Sequence, residues 1–600
     1  MSLLERWGLR HVESVDDYLS VLIPLDKAHL YSHSAKQGRG GSASRREDAE
    51  VGDADEEKDG ENETSGMLHG HAGEYSIEGL RKEMRQGNQG KWTSNEIKSK
   101  LINKALQDIG MGTYNWQLFA LCGFGWFADN LWLQVRIVFG KPRFCGYGAS
   151  LTLPSLSAEF GVSEKTVRYT TSALFVGLAL GSFSWGIGSD FVGRRVPFNV
   201  TLLIASVFGI ATAYQQSWGG VCFAYAAMGF GVGGSLPVDG ALFLEFLPDA
   251  SSALLTVLSV WWPIGQLVSS LIAWFFIAQW PAEQGWRYFL VTIGIMTFTM
   301  FAIRFFVFKL LESPKYLLSK GRQHEAVAVI HGVAYRNKTR TWLTSEIMDE
   351  VAAEDDSAMG YEEQEYKSSS SRNPLVQKIK GLYSSDKLKL LFKDKKLGLA
   401  TGLIWFCWAA IGMGYPLFNA FLPQYFARYS GKGEGTSVHS ETSPITGETY
   451  RNYAITSVFG VPGSLIAAYL VDHPSPFFGR RGTLASSTLI SAVFLFFFVI
   501  WGNTSTKQLI FSCVGSFSQN IMYGVLYAFT PEIFPTPVRG AGSGVASFLN
   551  RVAGLFAPVI AANAPGDGAD MPIYLSAILI LMAFVSICCI PIETRGAQRL

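Results

Sequence analysis

Beyond Tyr114 the chain is a succession of long apolar runs separated by short polar stretches. A bilayer core of about 30 Å needs about 20 apolar residues per crossing helix. Twelve runs meet that need, near 115–134, 169–189, 197–214, 219–244, 253–278, 287–309, 397–421, 452–472, 483–501, 508–529, 540–562 and 571–591. The longest polar interruption, roughly 312–396, follows the sixth run and splits the apolar part into two sets of six, an internal repeat at the level of hydropathy. The pattern predicts an all-α membrane protein with two six-helix bundles, 115–309 and 397–591, joined by a cytoplasmic loop over 310–396 and closed by a short tail, 592–600.

Ahead of the first run, residues 1–92 read as a largely disordered cytoplasmic tail. Residues 34–66 in particular are rich in Gly, Ser, Asp and Glu and hold too few apolar side chains to offset the entropy of ordering. Over 93–110 the pattern changes. Thr93 and Glu96 fit a capping box, and Ile97, Leu101, Ile102, Leu106 and Ile109 recur on one helical face opposite Lys98, Lys100 and Lys104. Such a helix either lies on the inner leaflet or packs against the body of the protein.

Composition agrees with a membrane chain. Only 16% of the 600 residues are charged, against about 25% in a soluble domain. The net charge of +1 offers no concentrated basic face for nucleic acid. The seven cysteines are scattered without metal-ligand or paired spacing and read as small apolar residues, so no metal or cofactor is expected. Short-loop cations set orientation: Arg194 and Arg195 follow run 2, a Lys/Arg-dense loop follows run 6, Arg480 and Arg481 follow run 8 and Arg539 follows run 10, placing both termini in the cytoplasm. Asn503-Thr504-Ser505 is then a glycosylation sequon on the outer side.

Between runs 2 and 3 stands Gly186-Ile187-Gly188-Ser189-Asp190-Phe191-Val192-Gly193-Arg194-Arg195, and after run 8 a second copy, Asp472 followed by Gly479-Arg480-Arg481. A carboxylate at a helix end and a guanidinium after a tight turn can latch the two bundles on one membrane side and release when they rock. This loop resembles the signature of the major facilitator superfamily. Phe191 departs from it, standing where a basic residue usually follows the acid, and the second copy has a longer spacer. Glu312-Ser313-Pro314 with its continuation to Arg322, and Pro531-Glu532-Ile533-Phe534-Pro535 with Arg539, resemble cytoplasmic signatures of the sugar-porter branch; Glu245-Phe246-Leu247-Pro248 is the counterpart after run 4, with Ser252 in place of the arginine. Trp116 through Asn130, and Gly229 through Asp239, resemble the synaptic-vesicle-glycoprotein-like group, although Tyr225 stands where that group usually has an arginine. The resemblance covers about 115–592 and implies the major facilitator fold, transport activity, and a cytoplasmic gate formed by Asp190, Arg194, Arg195, Glu245, Asp472, Arg480, Arg481, Glu532 and Arg539.

Ionisable residues in hydrocarbon are costly and by default functional. Asp129 in run 1 and Arg551 in run 11 lie at similar depth, about 20 Å and about 17 Å from the cytoplasmic side at 1.5 Å per residue, so a pair between the halves is expected. Its charge balance would shift between Arg551 and an incoming ligand or proton, unless it is a static pair that fixes packing. Asn130, Trp262, Gln266, Gln519, Asn520, Tyr523 and Asn550 complete the candidate substrate and coupling set, with Trp405 and Trp408 as aromatic neighbours. Amides and indoles offer donors, acceptors and flat apolar faces to a sugar, carboxylate or organic ion, though each alone also serves as helix-packing glue. Asp239, near the inner end of run 4, suits gating as well as substrate contact.

One stretch does not fit. Val135 through Ser150 places three basic residues where helix 1 should finish crossing, which reads as a gene-model error or a real extracellular insertion. No GxxxxGK[ST] loop occurs, so ATP drive is unsupported, and no nucleophile or acid/base constellation suggests an enzyme. The reading is a plasma-membrane secondary transporter, proton-coupled, working as a monomer on a small-molecule substrate; a non-transporting nutrient sensor of the same fold is the alternative.

Overall fold

The computed structural model describes residues 14–31, 75–85, 94–134, 160–162, 166, 169–248, 251, 253–280, 282–353, 391–392, 394–419, 422, 447–473, 478–534, 539–562 and 570–594. The 135–150 segment and the 34–66 stretch lie outside them. Long helices follow the apolar runs: α1 (Thr113–Gln134), α2 (Tyr169–Val192), α3 (Arg195–Ala213), α4 (Trp218–Phe246), α5 (Trp261–Gln279, entered through Ala253–Val257 and Leu258–Val260), α6 (Ala282–Ala302, continued by a π-helical turn Ile303–Val307), α7 (Lys395–Asn419), α8 (Gly447–Asp472), α9 (Arg480–Trp501), α10 (Ser505–Ile533), α11 (Arg539–Ala562) and α12 (Asp570–Cys588).

Among the described residues nine of these segments are long and apolar enough to cross a membrane by length and composition. Of the other three long helices, α1 carries Asp129 and Asn130, as suits a helix that meets other helices rather than lipid.

The two halves repeat each other's packing. In the first half α2 and α3 pack on α4, α3 on α6 and α1 on α5; in the second α8 and α9 pack on α10, α9 on α12 and α7 on α11. Across the halves α2 meets α11 and α5 meets α8, two contacts related by the same pseudo-symmetry. Close approach within the first half depends on missing side chains: a Cβ on Gly177 would sit 1.9 Å from the Ala226 carbonyl oxygen, and one on Gly233 would sit 2.3 Å from that of Leu178.

Helix Ser94–Ile109 does not present its apolar face to a bilayer. Ile97, Leu101, Ile102, Leu106 and Ile109 are all buried, in a core shared with the loop helices Pro314–Ser319, Gln323–Arg336 and Ser345–Ala352. The tail expected to be largely disordered contributes to that cap. Tyr18, Val21 and Ile23 are buried in it, and Ile23 N–H donates to the Thr341 carbonyl at 3.0 Å while Thr341 N–H donates to that of Val21 at 3.0 Å. Tyr75 Oη and Trp342 Nε1 both donate to Asp108, each at 2.8 Å. A short apolar segment can order against a preformed core even when its flanks lack the composition to fold.

Candidate functional site

At the centre, where α1, α5, α10 and α11 converge, Arg551 Nη2 lies 3.2 Å from Asp129 Oδ1, with side-chain exposures of 6% and 0%. The pair joins the first half to the second. Trp262 on α5 donates from Nε1 to Asp129 Oδ2 at 3.1 Å, and Asn130 Nδ2 donates to the Trp262 carbonyl at 2.8 Å, so neighbouring residues on α1 hold both ends of that tryptophan. Its ring is met edge-on by Tyr523 and Tyr527 of α10, at centroid distances of 5.2 and 5.3 Å, and lies 5.6 Å from Trp126. Trp408 and Tyr415 of α7 extend the aromatic wall, against Tyr527 and Tyr523.

Of the expected set, Asp129, Asn130, Trp262, Tyr523 and Arg551 therefore come together. The rest sit on adjoining contacts. Gln266 donates to Tyr453 Oη at 3.0 Å, tying α5 to α8. Gln519 accepts from Asn419 at 2.8 Å, one turn from Tyr523. Asn520 donates to the Ser516 carbonyl of its own helix at 2.8 Å, and Asn550 lies against Gly412, where an added Cβ would fall 2.2 Å from its Oδ1. Trp405 Nε1 is spent on the Gly542 carbonyl at 3.0 Å, and Trp408 Nε1 on Thr530 at 2.8 Å.

A second buried ion pair was not expected. Asp239 on α4 meets Arg304 on the π-helical turn at 2.7 Å, both side chains fully buried. The guanidinium also donates to the Leu121 carbonyl at 2.9 Å and to that of Phe198 at 2.7 Å, and stacks 3.8 Å above the Phe198 ring. One side chain thus binds α1, α3, α4 and α6 together. Its signal in the sequence was the same as that of Arg551, a guanidinium inside an apolar run, but it stands near the end of that run, where arginines commonly reach out to the interface.

At the cytoplasmic end the repeated motifs build two matching clusters. Gly193 (φ +99°) and Gly479 (φ +116°) make the turns in the left-handed region that glycine adopts without strain. In the first half Arg194 pairs with Glu245 at 3.3 Å, and its N–H donates to Glu312 at 2.8 Å. Arg195, largely buried, adds its own N–H to Glu312. In the second half Arg480 Nη2 donates to Glu532 at 2.6 Å, Thr594 donates to the same carboxylate at 2.8 Å, and Arg481 N–H donates to Glu593 at 3.2 Å.

Among the described residues each of these ion pairs closes within its own half. A carboxylate at the end of α4 or α10 accepts from a guanidinium that starts α3 or α9, and these contacts clamp helices of one bundle. The side chains of Asp190, Asp472 and Arg539 lie outside the described residues. Glu312 and Glu593, absent from the expected gate, occupy matching places in the two clusters.

Burial pushes the Glu312 carboxyl above its ordinary value of 4.5, against the lowering effect of the backbone N–H groups that it accepts. The folded protein then binds more protons than the unfolded chain from pH 4.5 up to the raised value, so stability falls as pH rises through that window. Glu312→Gln is expected to flatten this slope, read from thermal midpoints in detergent across the same pH range.

The Major Facilitator Superfamily pattern matches residues 143–558. An MFS siderochrome iron transporter 1 of Ceriporiopsis subvermispora is 40% identical over 519 residues, 84% of this chain and 92% of that protein. An organic cation/carnitine transporter 7 of Arabidopsis thaliana is 27% identical, with 82% and 95% covered. A synaptic vesicle 2-related protein of Xenopus laevis is 25% identical, with 83% and 81% covered. Among solved structures, the xylose transporter XylE from E. coli in a partially occluded inward-open conformation superposes with a TM-score of 0.57 at 13% identity, covering 81% of this chain and all of that one.

Proposed function

Because this chain belongs to the major facilitator superfamily, we propose that it moves a small polar organic solute across the membrane together with protons, by alternating access. It is an integral multi-pass membrane transporter, not an enzyme. The observation that carries the finer reading is the Asp129–Arg551 pair, buried at the junction of the two halves inside an aromatic wall. A titratable carboxylate there gives the site two states that differ in charge, which is the differential interaction that coupling requires. Relatives named for siderochrome iron and for carnitine, and a structural neighbour named for xylose, support polar organic solutes as the class.

In this reading all twelve long helices cross the bilayer, both termini face the cytoplasm, the plasma membrane is the site of action, and one chain suffices. Purified protein in liposomes, offered labelled sugars, carboxylates and organic cations at two external pH values, tests it. Saturable uptake of one class, faster at the acidic value, is expected. Asp129→Asn should lose the pH response; uptake that is undiminished and still pH-dependent in that variant removes Asp129 from coupling.

A further inference from the structure

We infer that the central site selects a small organic anion with one carboxylate and admits it only with a proton on Asp129, an inference that rests on the transport reading above. Among the described residues, the groups that interact with Arg551 are Asp129 on α1 and Tyr523 and Tyr527 on α10. Trp262 from α5 faces Asp129, and Trp408 and Tyr415 from α7 back the two tyrosines. A guanidinium keeps its proton in proteins, whereas a buried carboxylate takes one readily. The pair can therefore open in one way without stranding a charge: Asp129 becomes neutral, and Arg551 turns its single positive charge to an incoming anion.

The other classes fail this test. A cation competing for Asp129 would leave Arg551 buried beside it with no counter-ion, because Arg551 cannot be neutralised in its turn. A neutral solute offers neither member a replacement charge, so the pair stays closed.

Hydrogen-bond supply around the pair points the same way and is independent of the charge argument. Among the described residues, Arg551 Nε and Trp126 Nε1 are buried N–H donors without a partner, and so is Gln519 Nε2 one turn from Tyr523. Trp126 lies 5.0 Å from the Tyr527 ring and 5.6 Å from that of Trp262, so its ring belongs to the same cluster. Unpaired buried donors are costly, and a carboxylate supplies the several lone pairs that they lack. An unpartnered acceptor, Asn550 Oδ1, adjoins this region from the α7 side and suits a hydroxyl or amide on the same solute.

One anion and one proton enter together, and the site returns to Asp129 carboxylate and Arg551 guanidinium after release, so each cycle moves no net charge. The test uses the full chain in proteoliposomes holding a pH dye, with labelled lactate, mandelate, choline and xylose as probes and the membrane potential set by a potassium gradient with valinomycin. Lactate or mandelate should enter with one proton each, unaffected by a potential of either sign, and accumulate about tenfold per unit of pH difference. Saturable entry of choline or xylose that neither carboxylate inhibits overturns the anion class while leaving proton-coupled transport standing. Carboxylate entry that follows the potential overturns the obligatory proton. Failure of every probe to enter above protein-free vesicles removes both readings.

Discussion

Replacing Arg551 with glutamine is expected to lower solute uptake about 100-fold or more, a transition-state loss of about 2.7 kcal/mol, without emptying the membrane of protein. The asymmetry of the pair explains the split. With the guanidinium gone, Asp129 can take a proton and sit neutral beside Trp262, so folding survives, but nothing remains to hold the solute or to drive the proton off again. Arg551→Lys keeps the charge yet loses the planar fork and the Nε donor, and should recover only part of the rate. Uptake normalised to protein reaching the liposomes checks both variants. Near wild-type uptake by the glutamine variant would mean that the pair is static packing.

Sequence pattern made the bilayer-crossing architecture legible because hydrocarbon imposes a length and a polarity on each segment that few other environments do. It revealed Asp129 and Arg551 for the same reason, since charges inside apolar runs are conspicuous. Tyr527, Tyr415 and Trp126 were not legible as site residues. An aromatic ring in an apolar run reads alike whether it faces lipid, core or substrate, and only packing assigns Trp126 to Tyr527 and Trp262. The amides divided. Asn130 supports Trp262, while Asn520 turns back on its own helix, because a side-chain amide in a helix always has a carbonyl one turn away as a competing partner. In the cytoplasmic motifs the residue types were legible and the partners were not: spacing along the chain fixes where Arg194 and Arg480 start their helices, whereas Glu245 and Glu532 reach them only through the fold.

Arg304→Met is expected to be the most damaging single change to stability, costing about 3–5 kcal/mol. It forces Asp239 either to stay charged without its counter-ion or to take up a proton at a cost, and, unlike the loss of Arg551, it also takes a charged donor from the carbonyls of Leu121 and Phe198, all at a point where α1, α3, α4 and α6 meet. The loss belongs to the carboxyl that has lost its partner rather than to missing volume, since methionine fills much of the arginine stem. Adding Asp239→Asn should therefore restore most of the thermal midpoint in detergent. Asp239→Asn alone, which strands a guanidinium that cannot shed its charge, should remain nearly as unstable as Arg304→Met. If the double variant melts no higher than either single one, the guanidinium acts through its backbone carbonyls and not through the ion pair. In that case Arg304→Lys, which keeps a cation but not the fork that reaches Leu121 and Phe198 at once, should be as damaging as methionine.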